Sequence, residues 1–171
     1  LTVGELRRLV EQMDLGIRLE LSESGDRLDA LNLRSGSLMS IGEVTGGSAA
    51  TDLGIRSMDR ETLLSDFNRG EGVSILEGNI DPVTGLPDAS LDLDLAIVLS
   101  NGERVDVDLA GCVTVGDMLD RIRAEADATL SDPSLFSIQL AGEGNGIVIE
   151  DNSGGGGTLE VVTLNGSSAA W

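Results

Sequence analysis

A nine-residue pattern occurs twice in this chain, as TVGELRRLV from Thr2 to Val10 and as TVGDMLDRI from Thr114 to Ile122. The two copies lie 112 positions apart. A second pair of landmarks comes later in the same order, Ser48-Ala49-Ala50 and Ser168-Ala169-Ala170, 120 positions apart. Two matched landmarks at nearly constant spacing imply a duplicated unit with small loop insertions. That limits the fold to a small module used twice. On this reading residues 1–56 are the C-terminal part of a first repeat, and residues 57–171 form a nearly complete second one.

The landmark itself is a helix start. Thr2 with Glu5, and Thr114 with Asp117, fit the capping box that precedes an apolar helical run. The Thr hydroxyl accepts from the backbone N–H three residues on, and the carboxylate returns to the Thr N–H. Met118, Leu119 and Ile122 continue the second helix; Leu6, Leu9 and Val10 continue the first.

Beyond each helix the chain alternates apolar and polar residues, as half-buried strands do. The second copy offers FSIQL (Phe136 to Leu140), GIVIE (Gly146 to Glu150) and TLEVVTL (Thr158 to Leu164). The first offers IRLEL (Ile17 to Leu21), LNL (Leu31 to Leu33) and LMSI (Leu38 to Ile41). Ahead of the second helix, ASLDLDLAIVLS (Ala89 to Ser100) and ERVDVDLA flank Asn101-Gly102, the strongest two-residue hairpin signal. The first copy lacks this hairpin, and we read the chain as a piece of something longer. Leu63, Leu64 and Phe67 predict a short helix ending near Gly70, then a strand through Val73 and Ile75. DPVTGLPD (Asp81 to Asp88) is a turn-rich loop. The fold class is α+β: small antiparallel sheets, each with about one packed helix, in a duplicated unit.

Composition removes most chemistry. All 11 basic residues are Arg, and His and Tyr are absent. Without His or Lys there is no Ser-His-Asp or Cys-His arrangement, no imidazole metal ligand, no Schiff-base lysine and no phosphate-loop lysine. A net charge of -19 repels a nucleic-acid backbone. Cys112 is the only cysteine, so no disulfide forms within the chain, and no positive cluster in the sequence marks it as reactive. No run approaches the ~18 apolar residues of a membrane span, and no signal peptide opens the chain.

The acidic motifs read as surface. Asp92, Asp94, Asp106 and Asp108 alternate with apolar residues and are expected on the solvated face of a sheet. The Asp81–Asp88 loop lacks the spacing of a calcium loop, and calcium wants six to eight converging oxygens. GEGNG (Gly142 to Gly146) shares glycine spacing with nucleotide-binding turns but joins two strands and opens no helix. SGGGG (Ser153 to Gly157) is a loop with no basic neighbour. With 30 acids some close carboxylate pair is assured, yet the aromatics that line sugar clefts are few: Phe67, Phe136 and Trp171. No catalytic, cofactor-binding or metal residue is assigned.

The order DLAIVLSNGERVDVDLAGCVTVGDMLDRI, GNGIVIEDNSGGGGTLEVV and SAATDLGI resembles the flagellin hook IN motif, and RETLLSDFNRGEGV resembles its multi-copy form in large flagellar hook-associated proteins. The likeness spans most of 57–171, with 1–55 as a truncated copy. The chain departs from the motif where Arg121, Arg123 and Glu125 end the helix and where NIDPVTGLPDAS lengthens a loop. The coiled-coil termini by which flagellins polymerise are absent here. The resemblance implies a non-enzymatic, extracellular module of the bacterial flagellum, exported without a cleaved signal peptide. It displays surface at the filament or hook junction and contacts other flagellar subunits or copies of itself. Beside it, charge and hydropathy argue against nucleic acid and membrane insertion, no cofactor is expected, and a small-molecule substrate is not favoured. The alternative is an acidic, calcium-stabilised extracellular adhesin repeat; a hydrolase ranks third.

Overall fold

The computed structural model describes all residues except 23, 24, 26, 27, 37, 38, 143, 144, 170 and 171. The chain divides into two compact units, Leu1–Ser57 and Met58–Trp171. Both are α+β, with helices beside small antiparallel sheets.

In the first unit, α1 (Val3–Gln12) starts at Thr2 with both halves of the capping box. The Glu5 amide reaches Thr2 Oγ1 at 3.2 Å, and the Thr2 amide reaches Glu5 Oε2 at 2.7 Å. β1 (Ile17–Leu21) pairs antiparallel with β2 (Leu28–Asn32), Ile17 opposite Asn32 and Leu21 opposite Leu28. The helix packs on β1. A short helix, α2 (Ala49–Asp52), comes after Ser48.

The second unit opens with two 3-10 turns, Leu64–Asp66 and Asn68–Gly70. A central hairpin comes next, β3 (Leu95–Val98) with β4 (Arg104–Val107). Then α3 (Val115–Thr129) starts from Thr114 with the same reciprocal box, using Asp117. β5 (Phe136–Leu140) pairs with β6 (Ile147–Asp151), and β7 (Glu160–Thr163) returns to β3. The order β4-β3-β7 makes one sheet and β5-β6 another. α3 packs on β4 and β5, burying Val115, Met118, Leu119, Ile122 and Ala126 against Ile97, Val105, Val107 and Phe136. Each such aliphatic side chain contributes about 1.5–3 kcal/mol on burial.

Several expectations are corrected. The strand expected from Ala89 begins at Leu95, because Asp88 caps a 3-10 turn over Ala89–Leu91. At Asn101-Gly102 the hairpin forms with a three-residue loop: the Gly102 amide bonds Leu99 O and the Leu99 amide bonds Glu103 O. Only Gly102, at φ 90°, uses the left-handed region. Leu63–Gly70 makes 3-10 turns where an α-helix was expected, and Val73–Ile75 adds no strand to a sheet. The second strand of unit one is Leu28–Asn32, one parity away from Leu31–Leu33. Leu28 is buried opposite Leu21, whereas Leu33 is exposed. The third expected strand there, Leu38–Ile41, is not formed over residues 39–41, and Leu38 lies outside the described residues. So does Ala170 of the second landmark.

The capped helix and the hairpin after it correspond between the two units. Each runs Thr-capped helix, five-residue strand, six-residue connection, five-residue strand. Ile17 and Phe136 lie 119 positions apart, as do Leu28 and Ile147. The shift from 112 at the helix start to 119 at the strands has a local source. α3 has 15 residues against 10 in α1, and six residues rather than four link helix to strand. Even the exit turns agree: Arg34 N bonds Asn32 Oδ1, and Ser153 N bonds Asp151 Oδ1, each at 2.9 Å.

Candidate functional site

Of the four acids expected on a solvated face, Asp106 is exposed and pairs with Arg104 at 2.6 Å. Asp94 is fully buried. Its Oδ1 accepts the Leu76 amide and its Oδ2 the Leu109 amide, both at 2.9 Å, while its own amide and carbonyl bond Val107 O and Leu164 N. Strand alternation placed this residue off the helix-covered face, but Asp94 and Ala96 on that other face are buried too, and the Leu76 amide reaches the Asp94 carboxylate there. Asp92 Oδ1 accepts both the amide and the side-chain nitrogen of Asn79 at 2.8 Å, and Asp108 Oδ1 accepts the Ala110 amide. These carboxylates tie loops to the sheet; they are acceptors for backbone donors, not a convergent ligand set.

In the Asp81–Asp88 loop the same logic holds. Asp81 Oδ1 accepts the Val83 amide at 2.7 Å and Oδ2 the Thr84 hydroxyl at 2.9 Å. The first of these, then the second, hold its carboxyl below the usual range. Asp88 Oδ1 accepts from the Ser90 amide and hydroxyl. Among the described residues no group of three or more Cys, Asp or Glu side chains is placed to hold a metal ion. Burial pushes the Cys112 thiol up, against the nearby Arg121 charge.

The glycine-rich stretches are structural. Gly142, Asn145 and Gly146 lie in the β5–β6 connection, with Glu143 and Gly144 outside the described residues. Gly155 and Gly157 lie against the hairpin loop, where a Cβ on Gly155 would sit 2.0 Å from Ser100 O. Asp151 completes that junction. Its Oδ2 accepts the Ser100 amide at 2.6 Å, and bonds from Ser153, then Ser100, hold its carboxyl far below the usual range. Arg121 and Arg123 clamp α3 to its sheets. Arg121 donates to Asp108 O at 2.6 Å and Ala110 O at 3.3 Å, and Arg123 donates to Phe136 O.

The helices of the two units differ in what packs on them. Val115, Met118, Leu119 and Ile122 of α3 are buried beneath the β3–β4 hairpin. Their counterparts on α1, 112 positions earlier, are Val3, Leu6, Arg7 and Val10. Val3 is 41% exposed where Val115 is 0%, and α1 buries no residue fully. Arg7 stands at the position of Leu119, and its Nε is buried with no hydrogen-bond partner among the described residues. Residues 40–43, the counterpart of β7, form no strand. Already in the sequence, the first copy has no hairpin ahead of its helix.

No helix among the described residues is long and apolar enough to cross a membrane. No protein-family model matches the chain, and neither does a curated protein or a solved structure.

Proposed function

We propose that this chain is a non-catalytic structural repeat module of a flagellar hook-associated protein, acting by geometry at the filament or hook junction. The observation that carries this reading is the correspondence of the two units: the same capped helix, the same five-on-five hairpin, the same exit turn at Asn32 and Asp151. Repetition of a compact unit is how a chain spaces and presents surface, since each copy adds length without new chemistry. The complete absence of His and Lys from the sequence supports a role without a nucleophile–base pair. The flagellar assignment rests on the motif resemblance in residues 57–171.

Immunogold labelling with antibodies raised against these 171 residues tests it on cells of the source organism. Gold at the hook–filament junction supports the proposal. Gold spread over the cell body, with bare flagella, overturns it.

A further inference from the structure

We propose that Asn145-Gly146, in the β5–β6 connection, is a self-modification site at which the folded chain converts an asparagine into aspartate and isoaspartate. The proposal rests on the geometry of the second unit and not on the flagellar reading. The chain has three Asn-Gly pairs: Asn101-Gly102, Asn145-Gly146 and Asn165-Gly166. Such a pair reacts when the glycine amide nitrogen attacks the asparagine Cγ. A bond from that nitrogen to Cγ forms and the Cγ–Nδ2 bond breaks. The glycine amide proton leaves with Nδ2 as ammonia, and a five-membered succinimide remains. One water then opens the ring at either carbonyl. Breaking the new bond gives aspartate; breaking the original peptide bond gives isoaspartate. No oxidant, metal or cofactor enters the balance.

The fold restrains two of the three pairs. At Asn101 the attacking group is engaged, because the Gly102 amide donates to Leu99 O at 2.9 Å. Glu103 also holds the Asn101 side chain at both ends. Its amide donates to Oδ1 at 2.9 Å, and its carboxylate accepts from Nδ2 at 2.7 Å. That carboxylate opposes the negative charge that develops on attack. At Asn165 the leaving nitrogen is engaged, donating to Ser90 O at 2.8 Å and Leu93 O at 3.0 Å. Asn165 and Gly166 sit at φ 48° and 84° in a turn closed by the Ser167 amide on Leu164 O, so ring closure has to undo the turn as well.

Asn145-Gly146 is arranged the other way. Among the described residues no backbone acceptor meets the Gly146 amide, and Gly146 lies outside the left-handed region. A Cβ built on Gly146 would meet nothing within 4 Å, which leaves room for the ring. The carbonyl under attack is activated. The Met58 amide donates to Asn145 Oδ1 at 2.9 Å, and this is the oxygen that turns negative in the tetrahedral intermediate. Asn101 Oδ1 has a donor too, so the unengaged Gly146 nitrogen and the polarised carbonyl together single out Asn145. The isoaspartate product routes the backbone through one extra carbon, next to the Ala141 N to Gly146 O bond at 2.9 Å beyond the end of the β5–β6 ladder. The modification therefore loosens that end of the hairpin as the protein ages and adds a negative charge there.

The full chain is incubated at mildly alkaline pH, folded and in urea, and all three Asn-Gly pairs are followed by peptide mapping. Mass spectrometry reads the amide-to-acid change, and electron-transfer fragmentation distinguishes isoaspartate. In the folded chain Asn145 reacts with isoaspartate as a product, while Asn101 and Asn165 react about tenfold more slowly or less, the factor for one retained hydrogen bond. In urea the three rates converge. Gly146→Ala slows Asn145 by about tenfold, because a methyl group crowds the attacking nitrogen, and leaves the melting temperature unchanged. Amide exchange at Ala141 rises as product accumulates. Equal rates at the three sites in the folded chain, the same ranking of sites in urea, or acid at Asn145 without isoaspartate overturns the proposal.

Discussion

Replacing Asp94 tests the carboxylate that sequence periodicity misplaced. Its two oxygens accept two different amides at 2.9 Å in a site with no solvent exposure. Alanine strands both donors. A buried donor left unsatisfied costs about 1–3 kcal/mol. The Leu109 bond is fully buried and stands at the upper end, while the Leu76 bond is only partly buried and water recovers some of it. The sum is about 2–4 kcal/mol, a large share of the roughly 5–15 kcal/mol typical of a domain. For a unit of this length that lowers the melting temperature by about 8–16 °C. Asparagine keeps the volume and one acceptor but turns an NH₂ toward the second amide, so Asp94→Asn falls between, near 1–2 kcal/mol. Thermal melts by circular dichroism give the shifts, and amide exchange at Leu76 and Leu109 localises them. An Asp94→Ala variant melting within about 2 °C of the unmodified chain refutes the reasoning, as does Asp94→Asn proving the worse of the two.

Gly155→Ala places a Cβ 2.0 Å from Ser100 O and costs about 1–3 kcal/mol or more, whereas Gly156→Ala, with nothing within 4 Å, stays within about 0.5 kcal/mol; urea unfolding of both variants checks the contrast. Thr114→Ala removes the hydroxyl half of the α3 capping box and lowers stability by about 1 kcal/mol, read from the midpoint of the same denaturant curves. Asp151 has a folded-state pKa below its unfolded value, so its bonds to Ser153 and Ser100 stabilise above about pH 4 and are lost as pH falls through the lower folded value. The stability gap between the unmodified chain and Asp151→Asn is therefore largest near neutrality and closes in acid; a gap that stays constant as the pH is lowered contradicts this. Millimolar calcium leaves the melting temperature unchanged against a chelator control, and a rise of many degrees favours the adhesin reading instead.

Local signals with a mechanism of their own were legible in the sequence. The Thr2–Glu5 and Thr114–Asp117 boxes form as read, because a capping box needs only residues within one helical turn. Phe136–Leu140 and Ile17–Leu21 are strands with the bounds their alternation gives. Where the reading failed, the deciding partner was distant in sequence. Asp94 looks like a solvated strand residue, yet it is buried and bonded by the Leu76 amide, 18 positions away. Leu28 and Leu33 compete as the buried member of an alternating run, and only register with Leu21 and Leu19 decides between them. Alternation alone cannot show which parity faces a core when both parities hold leucine.

The same distinction explains why residues 40–43 and β7, sharing a place in a repeated unit, differ in structure. β7 is a strand through what β3 offers it: four paired positions along an edge already rigid from pairing with β4. Ser40, Ile41, Gly42 and Glu43 are weak strand formers apart from Ile41, and among the described residues no edge is presented to them. The helix shows the complementary effect. α1 and α3 share cap and spacing, yet only α3 buries its apolar face, because only α3 has β4 beneath it. The charge differs as well: the first unit has nine acids against six arginines, the second 21 against five. The repeated fold is thus held in common by local devices, while the hairpin packed against α3 is what makes that helix's apolar face core.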